Sequence, residues 1–224
     1  EALKGLTDPE EKREAITQTF YRKVFGRLVR ESGARHLLQG TILTDIDETV
    51  AGIKRQHNVL AQLGIDPQEE FGYQVIEPLL PLRKDGVRKL AAALGLPESV
   101  YGRMPFPGPA LAARIIGEVT AERLALVRKA TAIAEEDLQH TGAFQCMAIL
   151  HEERVTGMRN NRREFGLQME IRCWDSVDAR TARPTRLPWE TLERLAGRIL
   201  EAIPEVVSVI YNVAPKPPST MEVV

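Results

Sequence analysis

Asp45, Asp47 and Glu48 crowd one short stretch, Leu43-Thr44-Asp45-Ile46-Asp47-Glu48-Thr49. Carboxylates this close together hold a divalent cation such as Mg²⁺ or orient a lysine. Lys54, with His57 and Asn58 beside it, supplies the opposite charge on the same loop. A lysine on a loop that closes over phosphates stabilises phosphoryl or adenylyl transfer. Spacing alone favours a solvated turn and a solubilising lysine, so these residues do not decide the chemistry by themselves.

Two proline-rich stretches say more. Met104-Pro105-Phe106-Pro107-Gly108-Pro109-Ala110 fixes its backbone angles in advance. Gly108 would then let a flat or anionic ligand approach the chain closely, and Arg114 would meet a phosphate bidentately. A rigid hinge between domains is the plainer account, and both can hold. The tail Lys216-Pro217-Pro218-Ser219-Thr220-Met221-Glu222 repeats the design: a stiff backbone, a cation, a hydroxyl and a carboxylate. Arg159-Asn160-Asn161-Arg162-Arg163 reads as a charged hairpin turn, with anion or RNA binding as the alternative. Cys146 and Cys173 lack zinc-ligand spacing and an electropositive setting, and read as two reduced, non-nucleophilic thiols.

The elements that must position these groups follow from periodicity. Asp8-Pro9-Glu10-Glu11 opens a helix, and Ile16, Phe20, Val24 and Leu28 mark its apolar face until Gly33 stops it. His36 to Thr41 reads as a short buried strand, half of a parallel βαβ unit. Residues 51 to 70 read as a polar, mobile loop, and Tyr73 to Leu79 as another strand. A helix from Lys84 with Val87, Leu90 and Leu94 ends at Gly95. In the second half a helix spans Thr120 to Leu138, with strands at Gln145–Leu150, Phe165–Trp174 and Val206–Val213 and a helix from Pro188. In Phe165–Trp174, Phe165, Leu167, Met169, Ile171 and Cys173 alternate with a wet face of Gly166, Gln168, Glu170 and Arg172. The expected architecture is α/β followed by α+β on an antiparallel sheet, with domains at 1–104 and 105–224.

The chain has 224 residues and 25.0 kDa, with 30 basic and 31 acidic side chains and a net charge of −1. That balance argues against a nucleic-acid coat or a polybasic membrane binder. No apolar stretch approaches the roughly 20 residues of a membrane span, and a cytoplasmic protein is expected. The N-terminus begins without methionine and in mid-pattern, so upstream residues are expected.

Several of these segments, in order, resemble the ATP-pyrophosphatase portion of GMP synthetase, nearest the archaeal type whose glutaminase is a separate chain. They are Gln39-Gly40-Thr41, Asp45-x-x-Glu48, Ile53-Lys54-x-x-His57-Asn58, Val75-Ile76-Glu77-Pro78-Leu79, Lys84-Asp85-x-Val87-Arg88, the connector Pro105-Phe106-Pro107-Gly108-Pro109, and the tail Lys216-Pro217-Pro218-x-Thr220-x-Glu222. The resemblance implies an adenine-nucleotide α-hydrolase-like sheet and a C-terminal dimerisation domain, hence a homodimer. It implies ATP and Mg²⁺ as cofactors, xanthosine monophosphate as substrate and a glutamine amidotransferase as ammonia source. Asp45, Glu48 and Lys54 would belong to a catalytic lid; Gly108, Arg114, Lys216, Thr220 and Glu222 would bind the substrate.

The sequence also departs from the family. Its phosphate-binding loop, Ser-Gly-Gly-Val-Asp-Ser, is expected upstream of Glu1, and without that loop these residues alone would not adenylate a substrate. Arg55-Gln56 replaces Ser-His in the lid, Ala110 a connector glycine, and Asn160-Asn161 a Gly-Asp pair; Arg159 stands where glutamine is often found, and the tail ends Glu222-Val223-Val224. These changes leave two alternatives open: a diverged paralogue that adenylates another acceptor, and a non-catalytic dimerisation or RNA-binding module.

Overall fold

The computed structural model describes residues 1–43, 45–46, 66–106, 108, 110–177 and 179–223. It divides into two compact units: Glu1–Ile16 with Met104–Val224, and Thr17–Arg103.

The first helix, α1 (Pro9–Gln18), is capped by Asp8 Oδ1, which accepts from Glu10 N and Glu11 N. It runs into a π-helical segment, Thr19–Phe25, and then α2 (Gly26–Ser32), which Gly33 closes at φ +64°. The wider π turn rotates the helix face. Tyr21, Phe25 and Val29 turn inward against Tyr73, while Phe20 and Leu28, expected on the apolar face, are 48% and 50% exposed. The four-residue spacing is right and its phase is off by one.

In Thr17–Arg103, strand β1 (His36–Leu38) is followed, beyond residues outside the description, by α3 (Pro67–Phe71) and β2 (Gln74–Ile76). β1 and β2 pair in parallel, as a βαβ unit requires. β1 is not buried: only Leu37 is partly covered. The expected loop over 51–70 falls outside the described residues up to 65, and its end is helical, capped by Asp66. Next come α4 (Lys84–Ala93), followed by Gly95 at φ +77°, and the short α5 (Glu98–Tyr101).

The other unit is built on α6 (Ala121–Leu138), β3 (Gln145–Arg159), β4 (Arg162–Asp175), β5 (Arg183–Pro184), α7 (Trp189–Ala202) and β6 (Val206–Tyr211). β4 is central. It pairs antiparallel with β3 and β5 and parallel with β6, so the sheet is mixed rather than antiparallel as expected. The reason is α7, a helical crossover between the sheet and β6, which returns the chain in the direction of β4.

Alternation along the strands separates two faces. Cys146, Ala148, Leu150, Met169, Ile171 and Cys173 meet Val127, Ala130, Ala134 and Leu138 of α6 and Leu195 and Ile199 of α7. On the opposite face Met147, Ile149 and Trp174 are covered by Ala182, Met221 and partly buried Ile116 and Val223. The face expected to be wet is therefore buried around Glu170 and Arg172, because the C-terminal tail lies on it. Cys146 and Cys173 are buried register partners with free thiols. The 159–163 segment is a tight hairpin turn: Asn160 and Asn161 take φ +50° and +60°, which asparagine tolerates, and Arg159 pairs with Glu164 at 3.2 Å.

Candidate functional site

The connector and the tail, more than a hundred residues apart in sequence, meet over the N-terminal end of β3. Gln145, the first residue of β3, is the bridge. Its Nε2 donates to the carbonyl of Pro105 at 3.2 Å and to Glu222 Oε1 at 2.8 Å. Arg114, last residue of a 3₁₀ turn (Ala110–Arg114), lies beneath them. Its guanidinium carbon sits 4.6 Å from the centre of the Phe106 ring, and its Nε lies 3.8 Å from Glu222 Oε2. Arg114 is 1% exposed, so it meets the tail from inside rather than reaching outward for a phosphate.

Arg114 and Glu222 form an ion pair without a direct hydrogen bond. Among the described residues, Arg114 Nε and Nη1 and Glu222 Oε2 are buried without a hydrogen-bond partner. Burial pushes the Glu222 carboxyl up, against the charge of Arg114 and the hydrogen bond from Gln145. Burial likewise lowers the Arg114 guanidinium, with Glu222 opposing it.

The segment that carries Arg114 is pinned from several directions. Buried Lys12 Nζ donates to Ile115 O at 3.0 Å, Arg123 Nη2 donates to Ile116 O and His151 O, and Gly5 N donates to Glu118 Oε1. Burial and neighbouring Arg123 lower the Lys12 ammonium, against Glu152 and Asp8.

Lys216 exchanges both backbone hydrogen bonds with Ala182, at 2.9 and 3.1 Å, and its Nζ donates to Ala179 O at 2.7 Å. Thr220 is exposed, with Oγ1 donating to Glu222 O at 2.6 Å. Gly108 is exposed, and a Cβ built there would touch nothing, so the connector has open space at that point. Ala110, where a glycine was expected, takes φ +57°. Arg114, Thr220 and Glu222 are thus brought together with Phe106 and Gln145, and Lys216 is anchored further back along the same tail.

Asp45 belongs to the other unit, where its Oδ2 accepts from Ile42 N at 3.0 Å. Near it, Thr41 Oγ1 donates to Glu77 Oε1 at 2.6 Å and ties Gln39-Gly40-Thr41 to Val75-Ile76-Glu77. Glu48 and Lys54 lie outside the described residues. Among the described residues no group of three or more His, Cys, Asp or Glu stands ready to hold a metal ion.

Comparison with known proteins decides the family. The family model for the GMP synthase C terminal domain matches residues 131–223. Over 223 residues the chain is 46% identical to a subunit of the glutamine-hydrolysing GMP synthase of Pyrococcus furiosus, covering 99% of this chain and 69% of that protein. The chain belongs to the GMP synthase family. The corresponding subunits from Pyrococcus abyssi and Methanocella arvoryzae are each 47% identical, with 99% of this chain and 70% and 71% of theirs covered.

Within this family the sequence reading missed Gln145, Glu170 and Arg172. Gln145 looked like the start of a strand and nothing more. Glu170 and Arg172 carried a usable signal, two opposite charges at i and i+2 on one strand face. Only the tail lying over them turns that face into interior.

Proposed function

We propose that this protein is the synthetase subunit of a glutamine-hydrolysing GMP synthase, making GMP from xanthosine monophosphate, ATP and ammonia. ATP transfers its adenylyl group to the C2 oxygen of the base and pyrophosphate leaves. Ammonia then adds at C2 and AMP departs. A partner subunit that hydrolyses glutamine supplies the ammonia. The observation that supports this most directly is the junction of connector and tail at Gln145, with buried hydrogen-bonding atoms of Arg114 and Glu222 left over.

In this reading the tail and connector hold the purine nucleotide. Glu222 accepts from N–H groups of the base, and Thr220 and Lys216 supply a hydroxyl and a cation. The connector at Gly108 leaves room for the nucleotide, and Arg114 fixes Glu222 and Phe106 from behind. Asp45, Glu48 and Lys54 are the catalytic residues of this reading. Residues 1–104 form the ATP-pyrophosphatase portion, with an adenine-nucleotide α-hydrolase-like sheet, and 105–224 the dimerisation domain of a homodimer in the cytoplasm. Mg²⁺ would accompany ATP. Asp45 alone among the described residues does not make its site, and no step is assigned to the ion.

Pyrophosphate release from ATP by the whole protein tests the reading. Release should require xanthosine monophosphate, and adding ammonia should yield GMP. Release that proceeds equally without that nucleotide, or only with a different acceptor, overturns it in favour of a paralogue of other specificity.

A further inference from the structure

The tail from Asn212 to Val223 follows the last strand and, after the bond from Asn212 N to Ile171 O, leaves the ladder with β4. Lys216 is fixed by Ala182, and Ser219 N bonds to Pro215 O at 3.0 Å. Gln145 holds Glu222 and Met221 is buried, and a further hold comes from Glu170 and Arg172, side by side on the face of β4 turned away from the helices. Arg172 Nη1 donates to the carbonyls of Thr220 at 2.7 Å and Met221 at 3.3 Å, immediately before Glu222. Arg172 Nε donates to Glu170 Oε1 at 2.6 Å, and the same oxygen accepts from Asn212 Nδ2 at 2.9 Å, where the tail leaves β6. The other oxygen of Glu170 lies 2.7 Å from His151 Nε2. One charge pair therefore grips the tail at its root and near its tip.

Burying such a pair is costly unless its geometry is complete. Here it is nearly so, and the return is directional. The planar fork of arginine holds a carboxylate with one nitrogen and two carbonyls with another, which a lysine ammonium cannot copy. Apolar residues at 170 and 172 would pack against the tail without fixing its register.

We infer that Glu170 and Arg172 are positioning residues for the purine nucleotide, clipping both ends of the tail so that Thr220 and Glu222 stand where the substrate meets them. This rests on the proposed function for the identity of the substrate, and on the geometry alone for the clip.

The test compares Arg172→Met, Arg172→Lys and Asn212→Ala with wild type in the full chain. It reads amide hydrogen exchange of the 219–223 segment against α6, and KM for xanthosine monophosphate against KM for ATP. Arg172→Met should speed tail exchange and raise KM for xanthosine monophosphate by about tenfold or more, the loss of a charged hydrogen bond. Exchange in α6 and KM for ATP should stay within about twofold. Arg172→Lys should fall between, and Asn212→Ala should loosen the tail less. If Arg172→Met does not fold, the other two variants carry the test, since each leaves Glu170 partnered. Tail exchange unchanged in every variant that folds, or faster exchange with an unchanged KM for xanthosine monophosphate, overturns the inference. A wild-type protein that does not bind this nucleotide overturns the proposed function instead, while tail exchange still decides the clip.

Discussion

Replacing Glu170 with glutamine isolates the energetics of the buried network. Burial alone would raise this carboxyl. Hydrogen bonds from His151, Arg172 and Asn212, with the charge of Arg172, outweigh it and bring it from 4.5 down to about 2. At about 1.4 kcal/mol per pH unit the folded state favours the ionised form by about 3 kcal/mol. Because the folded value lies below the unfolded one, this stability is present above pH 4.5 and is lost as the pH falls towards 2. By linkage about 1 kcal/mol is gone by about pH 4 and about 2 kcal/mol by about pH 3, relative to about pH 6. Glutamine keeps the shape and cannot titrate, so Glu170→Gln should lack that part of the acid dependence. Urea unfolding at about pH 6, 4 and 3, followed by tryptophan fluorescence, reads it. Both tryptophans, Trp174 and Trp189, lie in the unit that holds the network, and Trp174 is buried beside it. Other carboxylates titrate alike in the two proteins and cancel in the difference. If wild type and variant lose stability in parallel across the whole acid range, Glu170 is not held as described.

Two backbone substitutions probe the frame around the site. Ala110→Gly should raise stability by about 0.5–1 kcal/mol, because Ala110 sits at φ +57°, where an L side chain is strained; a drop in melting temperature would contradict that conformation. Gly166→Ala should destabilise by about 1–3 kcal/mol, since the new Cβ would collide with Val207 Cγ1 and stand 2.8 Å from the carbonyl of Glu205. A neutral result in urea unfolding would mean that β6 does not pack against β4 this closely.

What the sequence disclosed tracks the kind of signal involved. The helix Ala121–Leu138 and the inner face of β4 at Met169, Ile171 and Cys173 were legible because burial there has one period and one partner layer, whereas Phe165, read on the same face, is exposed. The phase of the first helical run was not legible: a π turn shifts the face from Phe20 and Leu28 to Tyr21, Phe25 and Val29 without changing their spacing. The direction of β6 was recoverable: the helix from Pro188 was expected, but the antiparallel expectation did not draw from it the crossover that a helix between two strands of one sheet implies. Connector and tail could be recognised as motifs, but their meeting at Gln145 could not, because no local pattern encodes a contact between residues 105, 145 and 222. Arg114 was read as a cation facing a phosphate. Its burial depends on Phe106 and Glu222 closing over it, which only the folded chain shows.

Two glutamates on one patch of the molecule illustrate how the same side chain is put to different uses. Glu170 accepts from three partners, its burial is compensated, and its carboxyl is held low. Glu222 is nearly as enclosed, yet one of its oxygens and two nitrogens of its partner Arg114 remain unmatched, and its carboxyl is pushed up. Each unmatched buried polar atom costs about 1–3 kcal/mol, which the folded chain carries only because the rest of the tail is firmly held. In the proposed reading, N–H donors of the base reach Glu222 and Arg114 supports its carboxylate from inside. The fully hydrogen-bonded pair holds the tail, and the less complete pair lies where the proposed nucleotide site is.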